Sequence, residues 1–275
     1  MSESEVLYAV ADGVAVVTMN RPDRMNAMSA TMPGEIRRVM QQATDDPAVR
    51  AIVLTGAGRG FCTGADIARL SKTAGGGGPE AQPLPVTGAM AGGLDLPEGF
   101  AAKYAWLMTV PKPVIAAMNG PAAGVGVVMA LFCDMRFAAE EAKYTTAFAR
   151  RGLVAEFGMA WMLPRLVGPS KAFDLLCSGR VVTGAEAAAM GLVDRAMPAA
   201  EVLPAAMDYA RMLAAESSPR SMARMKLMIY RSLIQSLDES QELHMDEMLA
   251  AQKCDDFREG IAAWSEKRAP RFSGS

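Results

Sequence analysis

A single glutamate interrupts an apolar stretch in the second half of the chain. Residues 152–161 read GLVAEFGMAW, and Glu156 is their only charged residue. A carboxylate among apolar residues is costly to bury unless it is paired or used in chemistry. Two roles are open: a proton-transferring group, or a carboxylate in the first turn of a helix beginning near Gly158, where the helix dipole stabilises it by about 0.3–1 kcal/mol. The ten residues alone favour the helix-capping role.

Histidine and cysteine usage narrows the possible chemistry. The one histidine, His244, lies in the charged stretch QELHMDEM, where a solvated helix position is predicted. A Ser-His-Asp triad, a multi-histidine site or any other metal site is therefore not predicted, and acid–base chemistry falls to other side chains. Four scattered cysteines without a C-x-x-C pair indicate reduced thiols and a cytoplasmic protein.

Two glycine-rich stretches each follow a predicted strand. GAGRGFCTGADI (56–67) has Phe61 where a dinucleotide-binding G-x-G-x-x-G motif needs its third glycine, and NGPAAGVGVV (119–128) also lacks that motif. Each pattern predicts a strand, a tight turn and a helix start, and such turns present backbone N–H groups. Two of these N–H groups together would stabilise a developing oxyanion. Each stretch taken alone is an ordinary turn.

Composition limits the partners. The 275 residues are 51% hydrophobic and 21% charged with a net charge of −2, and no basic run suggests nucleic-acid binding. The acidic start MSESEVLY is not a signal peptide. Residues 113–133 are uncharged and long enough to span a bilayer, but Asn119-Gly120-Pro121 interrupt them, so strand, turn and helix are predicted and no membrane association is expected.

The elements that must position these groups follow from local patterns. Asp12-Gly13 predicts a hairpin, 29–44 a helix, and AIVLTG (51–56) a strand. The Gly- and Pro-rich stretch 71–99 predicts a mobile loop that acts as a lid. Further strands and helices are predicted at PVIAAM, VGVVMALFC, DMRFAA and KYTT, and a capping box at Thr183 and Glu186 opens a helix ending at Gly191. From residue 201 the chain reads as helical, with Ser218-Pro219 starting one helix.

Six stretches together resemble the crotonase superfamily, the enoyl-CoA hydratase/isomerase family, over nearly the whole chain. They are VTMNRPDRMNAM (17–28), AIVLTGAGRGFCTGADI (51–67), KPVIAAMNGPAAGVG (112–126), CDMRFAAEEAKY (133–144), GLVAEFG with LPRLVG (152–168) and VVTGAEAAAMGLVD (181–194).

This resemblance implies an α/β fold, a crotonase-like spiral of repeated ββα units in residues 1–200 followed by a helical trimerisation region in 201–275. It implies a homotrimer or a dimer of trimers, acyl-CoA thioester substrates, and no cofactor besides the coenzyme A of the substrate. The backbone N–H groups of Ala65 and Val125 would hold the thioester oxygen. The residues implied to lie along the coenzyme A moiety are Arg24, Ala27, Ala65, Asp66, Ile67, Ala68, Gly124, Phe257 and Lys267.

Departures from the family pattern bear on the reaction. Hydratases of the family use two glutamates to activate water, and their positions here are Val128 and Phe148. Glu156 instead matches the acid of the Δ3,Δ2-enoyl-CoA isomerases, although their PEG motif reads AEF here. The resemblance therefore favours an isomerase in which Glu156 shuttles a proton. The alternatives are a hydratase-like enzyme with displaced catalytic groups, hydrolytic or dehalogenating chemistry by attack of Glu156, and acyl-CoA binding without catalysis.

Several other residues have a predicted place. Asp66 is expected to act as a helix cap or turn residue rather than as a catalyst. Arg150 and Arg151 are expected to be solvated rather than paired with coenzyme A phosphates. Trp161 is expected in the core, with a place in the wall of the acyl pocket as the alternative. Tyr104 and Trp106, which follow the predicted loop, are candidates to bound that pocket.

Overall fold

The computed structural model describes residues 4–66, 71, 75–76 and 87–275. Residues 72–74 and 77–86 of the predicted lid fall outside these ranges, and so do Ile67 and Ala68. The helix start predicted around Gly64-Ala65-Asp66 is not found at these three residues, where Ala65 instead forms a β-bridge with Met28. Within the described ranges, every helix is too short or too polar to cross a lipid bilayer.

The chain opens with the predicted hairpin. β1 (Val6–Ala11) pairs antiparallel with β2 (Val14–Met19), and the two residues between them have left-handed backbones, with φ of 53° at Asp12 and 76° at Gly13. Positive φ at both central residues is the turn geometry that matches the twist of a hairpin. The hairpin prediction is confirmed.

A six-stranded sheet forms the centre of the molecule, and its strand order is β1-β2-β3-β4-β6-β9. All neighbours after the first pair are parallel. Every residue of β3 and of β4 is buried, as expected for parallel strands covered on both faces. The remaining strand bounds of this sheet are β3 (Ala51–Gly56), β4 (Val114–Met118), β6 (Met135–Ala139) and β9 (Arg195–Met197).

A second, three-stranded sheet alternates with the first along the chain. Its order is β5-β7-β8, so β4 and β6 enter the large sheet while the strand after each enters the small one. Helices complete these units, which gives the predicted spiral of ββα units and confirms the fold class. The strands are β5 (Ala122–Ala123), β7 (Lys143–Thr145) and β8 (Val182–Thr183).

Nine α-helices surround the sheets within the described ranges. α1 packs on the hairpin, and α6 packs across β3, β4 and β6 with Val202, Ala206 and Ala210 fully buried. The division at residue 200 stays a prediction, and α6 is part of the core. The helices are α1 (Met32–Asp45), α2 (Val125–Leu131), α3 (Met159–Val167), α4 (Pro169–Phe173), α5 (Gly184–Ala189), α6 (Ala199–Glu216), α7 (Pro219–Ser232), α8 (Leu237–Ala251) and α9 (Asp255–Glu266).

Helix caps agree with the sequence patterns in part. The Ser218 side chain caps α7 as predicted, and the Thr183 hydroxyl accepts the Glu186 N–H at the start of α5. A capping box also requires the Glu186 carboxylate to accept the Thr183 backbone N–H. This part of the prediction is wrong, because the carboxylate pairs with Arg180 instead. α5 itself ends at Ala189, two residues before the left-handed Gly191.

Candidate active site

The two glycine-rich turns meet at one cavity of about 430 Å³. Six of the predicted site residues line it together, although they come from three separate parts of the chain. These residues are Arg24, Ala27, Ala65, Asp66, Gly124 and Val125.

Close packing of the turns depends on two glycines. A Cβ on Gly64 would lie 2.7 Å from the carbonyl oxygen of Ala123 and 3.5 Å from the backbone nitrogen of Val125. A Cβ on Gly126 would lie 2.1 Å from the carbonyl oxygen of Cys62. Neither position has room for a side chain, so glycine at both lets one turn lie directly against the other.

The backbone N–H groups of Ala65 and Val125 donate to no other described residue. Ala65 pairs with Met28 as an isolated parallel bridge whose two bonds use the Gly64 carbonyl and the Asp66 N–H, which directs the N–H of Ala65 to the other side. Val125 is the first residue of α2, and Gly124 provides no side-chain cap. Two unused amides beside one cavity, one of them at a helix N-terminus, can stabilise an oxyanion.

Two asparagines that the sequence interpretation missed hold the surrounding loops. Asn26 is fully buried with φ 55°, and its amide donates to the carbonyls of Ala57 (2.9 Å) and Gly60 (2.7 Å). Asn119 accepts the Gly56 N–H (3.2 Å) and donates to the Gly58 carbonyl (2.9 Å). The first asparagine fixes the loop that carries Arg24 and Ala27. The second fixes the turn that leads to Ala65. The available signal for Asn119 was a polar residue within an uncharged stretch, whereas Asn26 lies among charged residues and offered no such signal.

Asp66 lies at the edge of the cavity and forms an ion pair with Arg21, whose Nη2 is 3.3 Å from its Oδ2. Arg21 also pairs with Glu5 at 3.1 Å. Asp66 therefore helps to fasten the 21–28 loop to the turn, in keeping with a structural rather than a catalytic role.

Apolar side chains occupy both positions where hydratases of the family carry glutamate. Val128 is fully buried within α2. Phe148 is 6% exposed and lines the cavity. Around the predicted oxyanion site, these two positions therefore supply neither an acid nor a base.

Glu156 lies three residues before the first residue of α3. The expectation that it sits in the first turn of that helix is wrong, because Phe157 and Gly158 turn with positive φ and the helix begins at Met159. The Glu156 carbonyl accepts the Met159 N–H (3.1 Å), but its half-buried carboxylate forms no hydrogen bond or ion pair with any described residue. It is not among the residues lining the 430 Å³ cavity, whose wall ends nearby at Leu153.

Arg151 reaches the cavity, whereas its neighbour does not. Both arginines are exposed as expected, but the Arg150 guanidinium is bound to the Ser178 carbonyl (2.8 Å) while Arg151 lines the cavity beside Phe148. The sequence interpretation also did not identify Thr146 and Ala147 as lining residues. Ala147 has φ 60°, a conformation that a sequence pattern does not reveal for alanine.

The C-terminal candidates lie elsewhere in the single chain. Phe257 is on α9 and 45% exposed, and Lys267 follows the last residue of that helix. Neither lines the cavity, so their contact with coenzyme A stays a prediction for an assembly of chains. Ile67 and Ala68 fall outside the described residues.

Known proteins resemble this chain along nearly its full length. The family model for enoyl-CoA hydratase/isomerase matches residues 9–275. A 1,2-epoxyphenylacetyl-CoA isomerase of Escherichia coli K12 is 32% identical over 269 residues, covering 98% of both chains. A probable enoyl-CoA hydratase of Rhodobacter capsulatus is 34% identical over 278 residues, covering 100% of both. The crystal structure of a probable enoyl-CoA hydratase/isomerase from Mycobacterium abscessus superposes with a TM-score of 0.86 at 33% identity, covering 98% of this chain and 99% of that one. The chain therefore belongs to the enoyl-CoA hydratase/isomerase family and is an enzyme of that family.

Proposed function

We propose that the protein moves the double bond of an enoyl-CoA thioester, with Glu156 as the proton shuttle. One observation carries the proposal. Val128 and Phe148 stand where water-activating glutamates would be, while Glu156 offers a carboxylate that no described side chain or backbone group engages. Of Val128, Phe148 and Glu156, only Glu156 carries a carboxylate, which suits a reaction in which one group removes a proton and returns it.

The chemistry balances without water. The thioester oxygen lies between the N–H groups of Ala65 and Val125, and coenzyme A extends past Arg24 and Ala27. Glu156 takes a proton from C2 of a 3-enoyl-CoA, and the electron pair moves into the thioester carbonyl to give a dienolate. The two amides stabilise the negative oxygen. Glu156 then delivers the proton to C4, the double bond forms between C2 and C3, and the carboxylate is regenerated.

The names of two relatives indicate different reactions within the family. The E. coli relative is named an isomerase, and the R. capsulatus relative a probable hydratase. Hydration requires an acid and a base placed around a water molecule. The apolar side chains of Val128 and Phe148 supply neither, so isomerisation is the better-supported reaction.

The test is turnover of 3-enoyl-CoA by the Glu156→Gln variant, measured with added enzymes that hydrate the 2-enoyl product and oxidise the resulting 3-hydroxyacyl thioester with NAD⁺. We expect kcat to fall by about 10²–10⁴-fold, the usual contribution of a general acid–base group. Glu201→Gln on α6 removes an exposed glutamate and serves as the matched control with unchanged turnover. Full isomerase activity in Glu156→Gln would rule out the shuttle.

Parallel assays separate the alternatives. Hydration of 2-enoyl-CoA that is independent of Glu156 would indicate displaced hydratase groups. Release of halide or of free acid from an acyl-CoA, dependent on Glu156, would indicate nucleophilic attack. Binding of acyl-CoA without any turnover would indicate a binding protein.

We further propose that the protein is cytoplasmic and assembles as a homotrimer or a dimer of trimers. Support comes from the exposed apolar side chains of the C-terminal helices, among them Leu237 and Trp264, which are 73% and 82% exposed in the single chain. A hydrophobic surface of this kind is typical of an oligomer interface.

A further inference from the structure

A second cavity, of about 590 Å³, lies between the 97–108 segment and α3. Its wall is almost wholly apolar and rich in aromatic rings, and Lys103 is the one charged side chain that contributes to it within the described ranges. The residues lining it are Pro97, Gly99, Phe100, Ala102, Lys103, Ala105, Met108, Phe132, Phe157, Gly158, Trp161 and Ile234.

Helix α2 connects this second cavity to the predicted oxyanion site. Val125 at the start of α2 lines the first cavity, and Phe132 immediately after the helix lines the second. Seven residues at 1.5 Å each place the two ends about 10 Å apart. A Cβ on Gly158 would lie 3.0 Å from the Phe132 ring, so the segment that carries Glu156 packs on the same end of α2.

The chain between Leu153 and Phe157 joins the cavities a second time. Leu153 lines the first, Phe157 lines the second, and Glu156 lies between them in sequence. A thioester held at Val125 with its acyl group pointing toward Phe132 would therefore pass along the segment that contains the proposed proton shuttle.

Two strained aromatic residues, one of which lines the second cavity, pack against each other. Tyr104 has φ 63° and Phe157 has φ 54°, and their rings pack edge to face with centroids 5.5 Å apart. Left-handed backbones are unfavourable for bulky residues and are retained mainly where function requires them. The Lys103 ammonium lies 4.8 Å from the Phe157 ring centroid, which keeps its charge over a ring.

We propose that the second cavity binds the distal part of the acyl group, and that the preferred substrate is an aryl-substituted 3-enoyl thioester whose ring lies about 10 Å from the thioester carbon. The inference rests on the proposed oxyanion site for the position of that carbon. A cavity of this size falls within the range that holds a whole ring system. Phe100 and Trp161 already pack edge to face there with centroids 5.8 Å apart, and a substrate ring would add a third partner.

Binding of saturated thioesters tests the inference without requiring turnover. Titration calorimetry would compare butanoyl-CoA, 6-phenylhexanoyl-CoA and decanoyl-CoA, the last being a linear chain of similar length. We expect 6-phenylhexanoyl-CoA to bind at least tenfold more tightly than butanoyl-CoA and several-fold more tightly than decanoyl-CoA. If no assay detects isomerase activity, the proposed function is wrong. The expected order of thioester affinities can still be observed in that case, so the two proposals fail separately.

Two variants localise the effect. Ala102→Trp places a large side chain at the cavity wall, and we expect it to weaken 6-phenylhexanoyl-CoA at least tenfold while butanoyl-CoA changes less than twofold. Ala160→Trp, at an exposed α3 position that lines neither cavity, is the matched control. Trp161→Leu keeps the wall apolar and should abolish the preference for the ring over decanoyl-CoA.

Three results would overturn the inference. Equal weakening of all three thioesters by Ala102→Trp would place the acyl group outside this cavity. Tighter binding of decanoyl-CoA than of 6-phenylhexanoyl-CoA would exclude the aromatic substrate class. An unchanged ring preference in Trp161→Leu would exclude the ring contacts as its source.

Discussion

At the scale of single residues, Gly64 determines whether the two amides can face one cavity. Its φ is +90°, and a Cβ there would meet the Ala123 carbonyl oxygen at 2.7 Å. That oxygen belongs to the backbone of the opposing turn, so a collision cannot be relieved by a side-chain rotation. The turn carrying Ala65 would have to move away from Val125.

We therefore expect Gly64→Ala to reduce turnover of the enoyl-CoA substrate by at least 10²-fold, the usual effect of losing one oxyanion donor. Gly168→Ala is the matched control, because Gly168 also has a left-handed backbone (φ +81°) but a Cβ added there would have no atom within 4 Å. Both changes carry a backbone strain of about 1–3 kcal/mol. Similar melting temperatures with lost activity only in Gly64→Ala would support this role for Gly64. Equal activities would contradict it.

Glu156 shows the limit of a residue-scale prediction. A glutamate among apolar neighbours indicated either a helix-capping or a catalytic carboxylate. In the structure Glu156 lies outside the first turn of α3, so the capping role does not explain it. The positive φ of Phe157 and Gly158 places α3 after the glutamate, and Gly158 lies against the Phe132 ring, a contact that the ten residues around Glu156 do not reveal.

At the scale of elements, α7 is fastened to the core by a buried ion pair. Lys226 is 7% exposed, and its Nζ lies 2.7 Å from Asp134 Oδ2 and 3.2 Å from the Lys112 carbonyl oxygen. Tyr230 donates to the other carboxylate oxygen at 2.6 Å, and burial together with Asp134 raises the pKa of Tyr230. The carboxylate in turn accepts the Val114 N–H at the start of β4 (2.7 Å).

We expect Lys226→Met to lower the free energy of unfolding by about 3–5 kcal/mol, because it leaves the Asp134 carboxylate without its cation. Chemical denaturation followed by circular dichroism would measure the change. Lys253→Met, at an exposed position, should leave stability within about 0.5 kcal/mol of the parent. A loss of less than about 1 kcal/mol in Lys226→Met would show that the pair contributes little to holding α7.

Charged side chains around Glu259 on α9 hold the C-terminal tail. Glu259 accepts from the Arg268 guanidinium (2.6 and 2.9 Å) and from the Arg271 N–H (2.6 Å). Hydrogen bonding by Arg268 lowers the pKa of Glu259 from 4.5 to about 2. A depressed carboxylate pKa means that the unfolded chain takes up the proton first as the pH falls.

The stabilisation from Glu259 is therefore fully present above about pH 4.5 and is lost as the pH falls toward about 2. We expect the parent to be more stable than Glu259→Gln at pH 7, and the difference between them to shrink between pH 5 and pH 3. Urea denaturation at a series of pH values would measure it. A difference that stays constant over this interval would assign the effect to packing instead of to the ionised carboxylate.

At the scale of the whole molecule, the sequence predicted the parts whose cause is local. The hairpin at Asp12-Gly13, the buried strand AIVLTG and the interrupted stretch 113–133 each follow from residue types within a few positions. The resemblance to the family predicted the fold class, and it predicted that the backbone N–H groups of Ala65 and Val125 act together. The assembly of the cavity was less predictable, because Asn26 and Thr146 act through contacts with residues about 30 positions away in the chain.

The apolar surface of the C-terminal helices is the largest feature of the chain that a single copy leaves unexplained. Seventeen large apolar side chains are exposed among the described residues, and ten of them lie between Met225 and Trp264. A concentration of this kind on α7, α8 and α9 would be unfavourable in a monomer, since exposed apolar patches favour association. The same helices carry Phe257, which does not line the cavity of a single chain, so its predicted contact with coenzyme A would need a second chain.

We therefore expect light scattering coupled to size exclusion to give three or six times the 29.1 kDa mass of one chain. The double variant Leu237→Glu and Trp264→Glu places charges on the exposed apolar surface and should shift the protein toward the monomer. Leu7→Glu, on β1 and 46% exposed, is the matched control and should keep the parent mass. A monomeric parent would contradict the proposed assembly. It would also contradict the predicted contacts of Phe257 and Lys267 with coenzyme A, which would need a second chain.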